Sequence, residues 1–140
     1  MIDRDMYTAV WPSAATVQML RDAGITKEKL HMTTFFDGYD QLKWLKPYPW
    51  VGPQSATIVK VTEWRAPSGK RLLVAELQCP NDWSRDINRW YRQQGAREDL
   101  PHKPHMTLGK RVPEGTAAHF QGLVGKVVRF DRHGFEEPRP

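Results

Sequence analysis

At 140 residues, 39% of them hydrophobic, the chain is long enough for one packed domain and short for two, so a single domain over 1–140 is expected. The one cysteine, Cys79, excludes an internal disulfide and a cysteine-based zinc cluster, and it suits a reducing cytoplasm. A net charge of +5 favours an anionic partner, and the charged start Met1-Ile2-Asp3-Arg4-Asp5 lacks the apolar run of a signal peptide or membrane span, so a soluble, unexported chain with no membrane partner is expected.

Met6 to Trp11 is short, apolar and β-permissive, and Pro12-Ser13 breaks it. Ser13 then suits the N-cap of a helix on which Val17 and Leu20 fall at helical spacing and which Gly24 ends. A strand follows from Leu30 to Phe36, stopped by Asp37-Gly38. Asp40 to Pro53 mixes Trp44, Tyr48 and Trp50 with three prolines and reads as a loop packed by its own aromatics. Ala56 to Ala66 and Arg71 to Gln78 form a hairpin around Pro67-Ser68-Gly69-Lys70. Asn81 or Asp82 caps a helix with Trp83, Ile87, Trp90 and Tyr91 on its core stripe, and Gly95 ends it. A polar connection, Arg97 to Pro104, leads to a strand from His105 to Val112. A short helix over Thr116 to Leu123 and a last strand over Lys126 to Asp131 complete an α+β domain before a Pro-rich, charged tail.

Within that order one tripeptide occurs twice, as His31-Met32-Thr33 and as His105-Met106-Thr107. Side chains alternate along a strand, so His31 and Thr33 share one face while Leu30, Met32 and Thr34 share the other; Met106 and Leu108 repeat the split. Two such strands side by side would combine imidazoles that titrate near neutral pH with hydroxyls that donate to an anionic oxygen. The 74-residue spacing suits two similar half-domains, each with a helix and one motif.

Metal binding is the first chemistry to weigh against this, but no carboxylate or cysteine joins either motif and no His-x3-His spacing appears. A serine elbow, Gly-x-Ser-x-Gly, is absent, and Cys79 sits beside Pro80 with no paired histidine. Acid–base work on a phosphodiester remains: one imidazole takes a proton from the attacking hydroxyl, the other gives one to the leaving oxygen, and the threonines hold the phosphoryl oxygens. Lys103, Lys110 and Arg111 flank the second motif as candidate phosphate attractors or a solvated rim. His102, His119 and His133 carry no motif, and Trp83 and Trp90 read as core.

The paired motifs, together with Lys103-Pro104-His105-Met106-Thr107-Leu108-Gly109, resemble the 2H phosphoesterase superfamily, and the resemblance covers the element order from the first strand to the last. It implies two pseudo-symmetric lobes whose antiparallel sheets line a central cleft. It further implies catalysis by His31, Thr33, His105 and Thr107 with no metal and no cofactor. The compact length, Tyr7 in the opening strand and Phe135-Glu136-Glu137 are similar to the short phage anti-CBASS phosphodiesterases, which destroy cyclic di- and trinucleotide messengers such as cGAMP. On that likeness Tyr7 and Glu136 are candidate substrate contacts. The substrate expected is a cyclic oligonucleotide in the host cytoplasm, with no DNA duplex as partner. The alternatives are an RNA 2′,3′-cyclic phosphodiesterase with the same four residues, related to 2′-5′ RNA ligases, and a non-catalytic nucleotide- or RNA-binding module.

Overall fold

A computed structural model of the protein describes residues 6–99 and 101–136, the side chains of Met6 and Glu136 excepted. Among the described residues the order is β1 (Met6–Pro12), α1 (Ala14–Asp22), β2 (Met32–Asp37), β3 (Gln54–Arg65), β4 (Arg71–Gln78), α2 (Trp83–Gln93), β5 (His105–Lys110) and β6 (Val127–Glu136), with 3-10 turns at Pro80–Asp82 and Thr116–Leu123. All six strands pair antiparallel with their neighbours in the cyclic order β1-β2-β5-β4-β3-β6, so the sheet closes on itself. None of the described helices is long and apolar enough to cross a membrane.

The α+β class stands, and the hairpin falls where turn chemistry puts it, with Gly69 at φ 89°. Ser13 caps α1 by accepting the Thr16 N–H at 3.2 Å. Four expectations need correction. β2 begins at Met32, so His31 stands just ahead of its strand. α2 is not capped by a side chain: Asn81 and Asp82 instead take left-handed backbone conformations, at φ 58° and 53°, which these two residue types tolerate. β5 stops at Lys110, where Arg111 turns to φ 55°. β6 runs to Glu136, because two neighbouring strands, β1 and β3, offer it hydrogen-bonding edges.

The loop before β3 also departs from expectation. Tyr48 and Trp50 pack on α2 and β6, while Trp44 is exposed: Tyr48 meets Trp90 edge-on and Trp50 meets Trp83. Both also contact the His133 ring. Buried Asp37 organises the start of this loop by accepting the backbone N–H groups of Tyr39, Gln41 and Leu42. Trp83 is core, as expected, while Trp90 is half-buried and donates its indole N–H to the Lys46 carbonyl.

The core lies between the sheet and its helices. Met32, Phe35, Met106 and Leu108 cluster with Leu20 of α1 and with Ile87 and Tyr91 of α2. Both helices lie outside the ring, so the opposite faces of β2 and β5 look into it. Along His31 to Thr34 and His105 to Leu108 burial alternates, histidine and threonine half-buried and the next residue fully so.

Candidate active site

β2 and β5 lie side by side with Met32 opposite Met106. In an antiparallel pair, one step along each strand in opposite directions then places His31 opposite Thr107 and Thr33 opposite His105. The two motifs therefore cross, and each threonine faces the histidine of the other copy. All four lie on the face directed into the ring. The register brings together the four residues that the repeated tripeptide singled out.

Each motif is followed at once by a β-bulge. On β2, Thr33 pairs with Ala9 and Phe35 with Thr8, which leaves Thr34 as the extra residue. On β5, Thr107 pairs with Val74 and Gly109 with Leu73, which leaves Leu108. A bulge bends its strand and re-aims the side chains beside it. At the first copy the extra residue is well tied down: the Thr34 hydroxyl shares a 2.6 Å hydrogen bond with Thr8, and its carbonyl accepts from Asn88 Nδ2 at 2.8 Å. Asn88 also donates to Glu98 at 2.8 Å, and the Glu98 carboxylate in turn accepts the Phe36 N–H.

The surroundings of the two imidazoles differ. Tyr7, on β1, stacks on His31 with ring centroids 4.9 Å apart and planes 19° from parallel. Trp64, on β3, lies 4.5 Å from His105 at a tilt of 50°. The Lys103 ammonium sits 5.1 Å from the Trp64 ring centre and 3.5 Å from Glu76, which pairs with His105 across β4 and β5. His105 Nδ1 is 2.7 Å from the Lys103 carbonyl. A carbonyl only accepts, so Nδ1 carries the proton and Nε2 holds the lone pair of the neutral ring. Burial pushes His105 below the usual imidazole range and the Lys103 ammonium adds to the effect, while the carbonyl bond and Glu76 oppose it.

Beyond the His31–Thr107 end, Lys27, Lys29 and Lys110 approach one another; burial first, then the other two charges, lower the Lys27 ammonium. Lys103 and Lys110 thus stand at opposite ends of the motif pair. Tyr7 is placed at the site, and its strand partner is Glu136, whose side chain lies outside the described atoms. Phe135 alternates to the other face. His102 and His133 are each pushed down to about 4 by burial; His102 bonds Ser84 at 3.1 Å and His133 packs on the loop aromatics. Burial raises the Cys79 thiol, which disfavours a thiolate nucleophile. Among the described residues no three His, Cys, Asp or Glu side chains group as a metal site.

Sequence reasoning missed Trp64 and Glu76 as neighbours of His105. The signal was weak: Trp64 was one of six tryptophans, and its relation to His105 depends on how three strands align. The chain matches no family model, and comparison with curated proteins gives no match.

Proposed function

We propose that the protein is a two-histidine phosphodiesterase that cleaves cyclic oligonucleotide messengers without a metal, in the role of phage evasion of CBASS immunity. The observation that carries this reading is the pairing of Met32 with Met106, from which strand alternation sets His31 across from Thr107 and Thr33 across from His105. Two threonine hydroxyls can donate to the non-bridging phosphoryl oxygens while the two imidazoles handle protons. The strand trios β6-β1-β2 and β3-β4-β5 flank the motif seam and support a reading as two pseudo-symmetric lobes.

A 3′–5′ phosphodiester is a poor electrophile, and the ribose 2′-hydroxyl is already positioned beside phosphorus, so intramolecular attack gains a large proximity advantage. In this reading neutral His105 accepts the 2′-hydroxyl proton at Nε2 as the oxygen attacks. The bond from phosphorus to the 5′-oxygen breaks, and His31 as imidazolium protonates that oxygen. The products are a 2′,3′-cyclic phosphate end and a 5′-hydroxyl. Water then opens the cyclic phosphate with the proton roles exchanged.

Tyr7 beside His31 and Trp64 beside His105 set an aromatic ring at each end of the quartet. That suits a linkage with nucleosides on both sides and favours an internal diester over the RNA-end alternative. The test is incubation, with EDTA present, with cyclic di- and trinucleotides, an RNA 2′,3′-cyclic phosphate and a cyclic dinucleotide with 2′-deoxy sugars. Cleavage of the ribose rings only, leaving the deoxy analogue intact, supports the reading. Preference for the RNA end supports the alternative enzyme, binding without turnover supports a non-catalytic module, and rapid cleavage of the deoxy analogue would overturn the nucleophile.

A further inference from the structure

The inner face of β1 continues past Tyr7 through Ala9 to Trp11, and one step beyond the Val10–Met32 pair sets Trp11 opposite His31. On its other side Trp11 pairs with Arg132 of β6, and Ala9 pairs with Gly134. The indole reaches over Gly134: a Cβ there would lie 3.3 Å from the ring. The Arg132 guanidinium lies 5.0 Å from the ring centre of Trp11. These residues wall a cavity of about 570 Å³ together with Lys29, two residues before His31, and Glu28. That volume is within the usual range for ligand pockets, about 300–1,000 Å³.

The chemistry of the walls is that of a nucleotide. Arg132 offers planar donors suited to a phosphate, and Lys29 adds a second positive charge. Trp11 presents an aromatic surface to a base, and Glu28 can accept from an exocyclic amine or a ribose hydroxyl. The cavity is walled by Glu28, Lys29 and Leu30, which lead into His31, and by Val17 of α1, and none of the four motif residues lines it. A group seated in it therefore belongs to a part of the substrate that does not react.

We propose that this cavity is a second nucleotide subsite, which holds the uncleaved phosphodiester of a cyclic substrate on Arg132 and Lys29 and the attached base against Trp11. The inference rests on the proposed phosphodiesterase reading and adds where the remainder of the ring is held. At the equivalent place in the other half, Glu76 stands beside His105 and Lys60 beside Glu76. There Glu76 is already engaged by the Lys103 ammonium at 3.5 Å, whereas the Arg132 guanidinium lies over Trp11 at the cavity wall.

Arg132→Gln, Trp11→Leu and Trp11→Phe test the proposal. Each is assayed with a cyclic dinucleotide, which has two diesters, and with a linear dinucleoside monophosphate, which has one. Arg132→Gln and Trp11→Leu should raise KM for the cyclic substrate roughly tenfold or more with kcat little changed. Trp11→Phe should recover most of the loss, and KM for the linear substrate should stay put in Arg132→Gln. Equal effects on both substrates, or none on either, would overturn the subsite. Should the wild type cleave neither substrate, the parent reading fails, and calorimetric titration of the 2′-deoxy cyclic dinucleotide then decides the subsite alone. Weaker binding by Arg132→Gln than by wild type supports it; equal binding, or none to either protein, overturns it.

Discussion

β2, which His31 leads into, and β5, which starts at His105, share a tripeptide, face each other at Met32 and Met106 and bulge directly after the threonine, yet the two imidazoles keep different company. His31 lies against Tyr7, with the Trp11–Arg132 pair beyond. His105 lies against Trp64, donates Nδ1–H to the Lys103 carbonyl and has Glu76 as strand neighbour. The two rings thus differ in company, and burial with the Lys103 ammonium holds His105 below the usual imidazole range. The proposed acid–base reading needs two groups that differ in protonation at one pH.

The comparison is broken most severely by removing either imidazole. His31→Ala and His105→Ala should each lower kcat by about 10²–10⁴-fold with unchanged far-UV circular dichroism, since both side chains stand on the half-buried face. A variant near wild-type rate would end the two-histidine assignment. Thr33→Ala and Thr107→Ala come next, each losing a charge-assisted hydrogen bond of about 1.5–3 kcal/mol, or roughly 10- to 150-fold in kcat/KM. Because the threonines occupy crossed but equivalent places, the two losses should be alike, which steady-state kinetics on one substrate will show.

A smaller effect concerns the support of one copy only. Asn88→Ala leaves the buried carbonyl of Thr34 without its donor and should destabilise the fold by about 1–3 kcal/mol, read as a lower urea midpoint. The second bulge has no such Asn88 contact, so the variant should weaken the His31 half selectively in hydrogen exchange.

The smallest expected change separates the rings by pH. Burial and Lys103 hold His105 below the usual imidazole range, so His105 loses its lone pair to protonation only at pH values below that range. The acid limb of kcat/KM should accordingly fall below about 6.5, the reference imidazole value. Lys103→Met removes a charge that lowers this pKa and should move the limb to higher pH. Glu76→Gln removes one that raises it and should move the limb to lower pH. If both variants leave the acid limb in place, that limb does not belong to His105.

Much of this geometry was legible in the residues. Alternation in His31-Met32-Thr33 and His105-Met106-Thr107 was enough to assign one polar and one apolar face, because strand periodicity is local. The Ser13 cap and the turn at Gly69 were legible for the same reason. The bulges at Thr34 and Leu108 were not, since a bulge is defined by what a partner strand leaves unpaired. Trp64 and Trp11 looked like other tryptophans until β1 was laid beside β2, and β3 was joined to β5 through β4. β6 was read too short because Arg132, His133 and Gly134 have little strand propensity; pairing on both edges supplies the order that composition does not.

The closed sheet has a consequence for when the proposed activity would appear during synthesis. β1 is among the first segments of the described chain to leave the ribosome, while β6, which completes its second edge, is the last strand. Pairing Tyr7 with Glu136 spans most of the sequence, and such distant contacts form late and slowly because the intervening loop must first lose entropy. The ring can seal only after translation has passed β6, so nascent chains that already carry both motifs should still be inactive.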